Sequence, residues 1–261
     1  MATDNETAIL LTEFSSGVLR LTLNRPEQRN ALSGQLIDDL ISELEACHRN
    51  PAIRVVVIAA AGPAFSAGHD LNELITMDES QQQHLLERCS ELMMILPTLE
   101  QPVIAQVQGV ATAAGCQLVA SCDLAIAGES ASFATPGVNI GLFCSTPAVA
   151  LSRAVPDKQA LKMLFTGEAV SAEQALAMGL ISDRVADAEL SRVIADLARL
   201  IASKSAPCIG NGKRAFYRQQ GLPRAEAYAD ASEEMVVNLG SASAAEGIEA
   251  FLQKRSPVWP D

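Results

Sequence analysis

The chain has 261 residues, is 49% hydrophobic and carries a formal charge of -12, with a pI of about 4.7. That acidity argues against a nucleic-acid partner, which needs clustered Lys and Arg to meet phosphates, and no apolar run approaches the roughly 20 residues that span a bilayer. Six cysteines without C-x-x-C pairing, and three histidines without zinc-like spacing, predict reduced thiols and no metal site; with an acidic, polar stretch at 1–7 they set the expectation of a cytoplasmic protein.

Residues 8–14 and 18–24 read as strands joined by the Ser15-Ser16-Gly17 turn, a hairpin signal. A loop covers 24–30, and Ser33 opens a helix in which Leu36, Ile37, Leu40, Ile41 and Leu44 recur at helical spacing. The apolar run 54–61 predicts a buried strand. Residues 73–79 lack a period and read as a mobile flap, and 81–96 reads as a helix that Pro97 ends, with His84 on it, either lining a pocket or on the surface. Strands at 103–107, 124–127 and 132–134 follow, then a loop at 135–141. Helices dominate thereafter, at 146–155, 158–165, 171–178, 188–203, 207–218, 224–239 and 244–253, with a capping box from Ser171 to Gln174. Strands alternating with helices early and helices alone later define an α/β chain. The absence of repeats, low-complexity tracts and linkers predicts one compact unit.

Two junctions share one character. Ile58-Ala59-Ala60-Ala61-Gly62-Pro63-Ala64-Phe65-Ser66-Ala67-Gly68-His69-Asp70-Leu71 and Val107-Gln108-Gly109-Val110-Ala111-Thr112-Ala113-Ala114-Gly115-Cys116-Gln117-Leu118 each pass from strand residues to glycine and small residues, and the second then starts a helix. The first N–H groups of a helix have no partner inside it, and small residues let a ligand reach them, so such a terminus favours an anion. Two such junctions can each aim an N–H into one pocket, for an oxygen that is or becomes negative.

The segments Phe65-Ser66-Ala67-Gly68-His69-Asp70-Leu71 and Ala113-Ala114-Gly115-Cys116-Gln117-Leu118, with Cys122-Asp123 after the second, resemble the two signatures of the enoyl-CoA hydratase/isomerase (crotonase) superfamily. The likeness runs from Leu23-Asn24-Arg25-Pro26 through Leu164-Phe165-Thr166-Gly167 to Phe251-Leu252-Gln253-Lys254-Arg255. Gly141-Leu142-Phe143-Cys144-Ser145-Thr146-Pro147 and the Lys254-Arg255-Ser256-Pro257-Val258-Trp259 ending look most like its enoyl-CoA hydratase domain-containing protein 3 branch. The resemblance implies a crotonase (ClpP-like) spiral of ββα units, α/β in class. Residues 1–200 would form the acyl-CoA-binding core, and 201–261 a helical C-terminal trimerisation region. It implies an acyl-CoA substrate, no cofactor beyond the CoA moiety of that substrate, and a homotrimer or dimer of trimers.

Carried over residue by residue, the amides of His69 and Ala114 look like the donors that stabilise a thioester oxyanion. The Ala67 carbonyl falls where the family meets the adenine, with Asp70 and Leu71 beside it on the CoA side. Arg25 and Arg29 match a loop that touches CoA, as phosphate contacts or as solvated loop arginines. Phe251 and Lys254 match tail positions that contact CoA from a neighbouring subunit, or are a packed Phe and a solvated Lys. Hydratases of the family carry two glutamates where this chain has Gln117 and Gly137, neither of which can exchange a proton. General acid–base help is worth about 10²- to 10⁴-fold, so efficient hydration is not expected. Ser145 also stands where related isomerases and dehalogenases place an aspartate. Cys144 is left as a nucleophile or proton acceptor, or as a small buried thiol; the His69 ring can enter the pocket, pair with Asp70 or face solvent; and Asn139 can orient a water or the thioester. These readings lead to an oxyanion-hole enzyme with non-glutamate chemistry, or alternatively to a non-catalytic acyl-CoA binding or scaffold protein.

Overall fold

The computed structural model describes residues 8–260. In chain order the elements are β1 (Leu10–Ser15), β2 (Val18–Leu23), α1 (Gly34–Cys47), β3 (Val55–Ala60), α2 (Leu71–Leu74), α3 (Glu79–Thr98), β4 (Val103–Val107), β5 (Val110–Thr112), α4 (Ala114–Ser121), β6 (Leu124–Gly128) and β7 (Ser132–Ala134). There follow α5 (Ser145–Ala154), α6 (Asp157–Thr166), β8 (Val170–Ser171), α7 (Ala172–Met178), β9 (Asp183–Val185), α8 (Leu190–Ala202), α9 (Ala206–Gln219), α10 (Arg224–Leu239) and α11 (Ala242–Leu252).

A six-stranded sheet runs in the order β1-β2-β3-β4-β6-β9, parallel except for the β1–β2 hairpin. Ser15 pairs with Val18, so Ser16 and Gly17 alone make the turn, and both take positive φ, the hand that suits a two-residue hairpin. The central strands β3 and β4 are covered on both faces, which is why they read as unbroken apolar runs. On one face α1, α3 and α4 bury Leu36, Leu40, Leu92, Leu96 and Leu118; on the other, α8 sets Leu190, Ile194 and Ala198 against Val55, Val57, Ile104 and Ile126. A second sheet, β5-β7-β8, lies beside the first.

Ser33 caps α1 by accepting from the Leu36 amide, and Ser171 with Gln174 forms the anticipated capping box on α7. Three strands escape the sequence reading. β5, β8 and β9 are two or three residues long, and β5 is the stretch read as turn and helix start. Pro97 lies inside α3 rather than ending it. Its missing N–H falls in the last turn, and the helix closes through the Leu99 amide on the Ile95 carbonyl, 3.1 Å away. The stretch read as a patternless flap begins with α2 and is tied down by Glu73, which accepts from the Gly34 amide at 3.1 Å, and by Gln82, which donates to the Leu74 and Met77 carbonyls.

Helix α9 docks on the core through a largely buried ion pair. Lys213 Nζ on α9 donates to Asp123 Oδ2 (2.6 Å) and to the carbonyls of Leu96 and Gln101, while Asp123 also accepts from the Val103 amide and the Tyr217 hydroxyl. Burial lowers the Lys213 pKa and Asp123 opposes the shift. Removing one partner strands the other charge, so Lys213→Met is expected to destabilise the fold by about 3–5 kcal/mol, measured by urea denaturation.

Candidate active site

The two signatures meet as main chain against main chain. Gly68 has a φ of +89°, and a Cβ there would lie 2.8 Å from the Ala113 Cβ, 3.0 Å from the Thr112 carbonyl oxygen and 3.2 Å from the Ala114 nitrogen. A Cβ on Gly115 would in turn lie 2.5 Å from the Ser66 carbonyl oxygen. Both glycines are therefore obligatory, and the Gly68 position borders the Ala114 amide directly.

Neither amide in question is consumed internally. Ala114 is the first residue of α4, so its N–H has no carbonyl within the helix. His69 lies in a parallel bridge with Leu32, where the bonds run from the Leu32 amide to the Gly68 carbonyl and from the Asp70 amide to the Leu32 carbonyl; the His69 N–H is left facing the other way. Neither N–H donates to another described residue. Ala113, just before, has φ 50° and ψ -120°, a conformation costly for a residue with a Cβ, and its ψ sets the direction of the Ala114 N–H. The Ala113 amide is anchored on the Ala134 carbonyl at 2.9 Å.

A shell the sequence reading passed over fixes the first signature. The buried Asn30 side chain donates to the Ala61 and Ala64 carbonyls, both at 2.8 Å, and Ser66 donates to the Asn30 carbonyl (2.8 Å) while accepting from the Gly68 amide (3.2 Å). The signal available was two short polar residues beside otherwise apolar and glycine-rich segments.

Buried polar atoms around the junction are left without partners among the described residues. Both ring nitrogens of His69, Oε1 of Gln117 and Oγ1 of Thr135 are in this state, where nearly all buried polar atoms are paired. Gln117 lies one turn along α4 from Ala113, whose carbonyl accepts from the Gln117 amide at 3.0 Å. Burial lowers the His69 pKa, with the nearby Leu32 backbone and Glu73 opposing, which keeps the ring neutral at pH 7. Burial raises the Cys144 thiol, against the Gly137 backbone, which keeps it protonated. Cys144 belongs to the same buried cluster as Ala114 and Cys116.

The other sequence candidates divide. Arg25 donates to Asp70 (2.9 Å) and to the Ala31 carbonyl (2.7 Å), and its partner Asp70 also caps α2, so this arginine is engaged within the fold. Arg29 is exposed with no ion pair among the described residues, and its carbonyl accepts from the amide of the exposed Ala67 (2.9 Å); Leu71, 49% exposed, opens α2 next to them. Phe251 and Lys254 are exposed at the end of α11, which packs on α9 and α10 and stands apart from the junction on this chain. His84 is exposed in a groove between α1 and α3, with Asp38, Leu85 and Arg88. Asn139 is exposed and faces Gly167.

This fold and these paired signatures define an acyl-CoA-related enzyme class, and the chain belongs to the enoyl-CoA hydratase/isomerase family, which matches residues 13–261. It is 50% identical to the human protein named enoyl-CoA hydratase domain-containing protein 3, mitochondrial, over 93% of this chain and 80% of that protein. Its crotonase fold superposes on the crystal structure of that human protein with a TM-score of 0.92 at 48% identity, covering 97% of this chain and 100% of that one. It also superposes on an enoyl-CoA hydratase from Mycobacterium smegmatis with a TM-score of 0.94 at 45% identity, with the same coverage. Vertebrate relatives at 47–50% identity are named mitochondrial, which overturns the cytoplasmic expectation. The unpaired cysteines behind that expectation separate reducing from oxidising surroundings and do not tell one reducing compartment from another; residues 1–7 lie outside the described residues.

The Arg25 hydrogen bond holds the Asp70 carboxyl below its ordinary value. A depressed folded-state pKa stabilises fully above the unfolded value of about 3.9, and the contribution disappears as pH falls through the folded value. The stability gap between the native chain and Asp70→Asn, followed by urea denaturation, is therefore expected to be constant from pH 6 to 8 and to close below about pH 4.

Proposed function

We propose that this protein is an acyl-CoA thioester enzyme in which the amides of His69 and Ala114 together receive the thioester oxygen as it gains negative charge. The observation that carries the reading is the pair of unconsumed amides brought together across Gly68, beside a strained Ala113 that aims one of them. Donors of this kind act on charge that develops during reaction, and losing one costs about 3 to 4 kcal/mol of barrier. The side chains nearest the two signatures offer an acceptor at Gln117, an uncharged ring at His69 and a protonated thiol at Cys144, and neither position of the family's two glutamates carries a carboxylate, so hydration is weak. Enolate reactions in which the neutral His69 ring takes the α-proton and returns it elsewhere on the acyl chain, such as isomerisation, fit this set better.

The CoA moiety would lie along Ala67, Asp70 and Leu71, with Arg29 free to meet a phosphate and Arg25 holding Asp70 in place. Phe251 and Lys254 would reach the CoA of a neighbouring copy. The exposed Tyr228, Met235, Val236 and Val237 on α10 support a self-associating surface, as expected of a homotrimer or dimer of trimers, with 1–200 as core and 201–261 as the associating region. No cofactor beyond CoA is required, and the compartment suggested by the relatives is mitochondrial.

Binding without turnover is the second reading, favoured by the loss of both acids together. Purified protein assayed on enoyl-, hydroxyacyl- and malonyl-type CoA esters is expected to turn over at least one. Retained binding with no turnover would select the second reading, and no binding of CoA or short acyl-CoAs by calorimetry would reject both.

Gly68→Ala places a methyl on the Ala114 nitrogen in a backbone region that suits glycine. It is expected to lower kcat/KM by at least about 100-fold, the effect of losing one hole donor. Gln117→Glu supplies one of the missing acids, and crotonyl-CoA hydration is expected to rise by about 100-fold; a wild type that already hydrates rapidly would refute the proposed role.

A further inference from the structure

The chain folds back on itself after α11. Lys254, the first residue past the helix cap, has φ +55°. The closing bonds run from the Lys254 amide to the Phe251 carbonyl (3.1 Å) and from the Arg255 amide to the Ala250 carbonyl (3.0 Å), the pattern that ends a helix through one left-handed residue. Glycine suits such a position, and a side chain there carries a steric cost. From Arg255 onward the tail returns along α11. The Arg255 guanidinium meets Glu246 through two bonds, Nη1 to Oε1 (2.6 Å) and Nη2 to Oε2 (2.9 Å), and the Val258 amide donates to the same Oε1 at 2.6 Å. The Trp259 indole N–H then reaches the Ser203 carbonyl past the end of α8 (2.8 Å), and Gly247 leaves room for the ring, since a Cβ there would lie 3.3 Å from Trp259 Cζ3. The Lys254 side chain is exposed and makes no hydrogen bond or ion pair with another described residue; Ile248, Phe251 and Leu252 on the same helix end are 51%, 82% and 74% exposed.

A lysine held in a backbone conformation that disfavours it, without a partner on its own chain and next to bare apolar side chains, serves a surface supplied by another molecule. We propose that Glu246 is a positioning residue: by clamping Arg255 and Val258 it fixes the turn at Lys254, so that the Lys254 ammonium is presented to a CoA phosphate bound by a neighbouring copy. The contact belongs to the acyl-CoA reading above, on which the clamp rests. An exposed ion pair adds little stability, whereas a two-bond arginine–carboxylate pair fixes direction, so this clamp orients more than it stabilises. One carboxylate serves both tail donors, and removing its charge loosens both at once. Released from Glu246, the turn relaxes toward the right-handed region and redirects the Lys254 side chain.

The test is calorimetric titration of CoA into the wild type, Lys254→Met, Glu246→Gln, Arg255→Met and the double variant Glu246→Gln/Lys254→Met. Lys254→Met is expected to weaken CoA binding by about 10-fold, the scale of one coupled charge contact, and each clamp variant by most of that. The double variant is expected to bind no more weakly than Lys254→Met alone, because a positioning residue then has nothing left to position. Arg255→Met opens the clamp from the tail side and decides alone should Glu246→Gln not fold. Wild-type CoA affinity in the clamp variants, or losses that add in the double variant, overturns the clamp and leaves the Lys254 contact standing. Lys254→Met binding as tightly as the wild type removes the contact and the clamp together, with the thioester reading intact because CoA still binds. A wild type that binds no CoA overturns both.

Discussion

The site depends on two stretches of backbone packed closer than any side chain between them would allow. Gly68 lies against Thr112, Ala113 and Ala114, and Gly115 lies against Ser66, so each signature supplies the glycine that the other requires. A single free amide is an ordinary helix end. Bringing two such amides together needs this contact, because they come from junctions more than forty residues apart in the chain. The Asn30 and Ser66 hydrogen bonds hold one side of the contact, and the Ala113 amide on Ala134 holds the other. The unfavourable backbone of Ala113 persists because it is gripped from both directions, and relaxing it would swing the Ala114 N–H out of line.

Legibility in the sequence followed length and period. β3 and β4 were readable as uninterrupted apolar runs, and α1 through its 3.6-residue spacing and Ser33 cap. β5 was not, because three residues with small side chains carry no alternation; only its pairing with β7, decided by the tertiary fold, makes it a strand. Pro97 misled for a related reason. A proline breaks a helix by deleting one hydrogen bond, and in the final turn of α3 that loss is absorbed by the bond from Leu99. At the site, the glycine pattern pointed to the amides of positions 69 and 114, and neither donates to another described residue. The Ala113 conformation and the Asn30–Ser66 tether were not legible, since each depends on residues far apart in sequence, and the filled space at Gly137 depends on how the neighbouring loop closes on itself.

The charge balance shows how an acidic protein distributes its few cations. Of the two arginines in the 24–30 loop, Arg25 is spent on Asp70 and the Ala31 carbonyl and orders the first signature from behind, whereas Arg29 stays exposed. Lys213 is likewise spent inside the fold, on Asp123. The chain therefore uses buried or half-buried cations to assemble its parts and leaves isolated exposed ones, such as Arg29 and Lys254, at the edges. An isolated cation in a negative field recognises a phosphate only at short range, so binding must rely on geometry more than on steering.

Position 137 is better understood as filled by its neighbours than as left empty. Were Gly137 simply a truncated glutamate, an empty volume would remain beside it, open to water. Instead the 137–142 loop has closed through its own amides and carries the Leu142 carbonyl and Cys144 into that volume, so that no side chain could return at 137 without displacing main chain. Gly137 and Cys144 are thus mutually dependent, as Gly68 and Ala114 are. The same device, a glycine whose absent side chain is replaced by a neighbour's atoms, packs the two signatures together and fills the space at position 137.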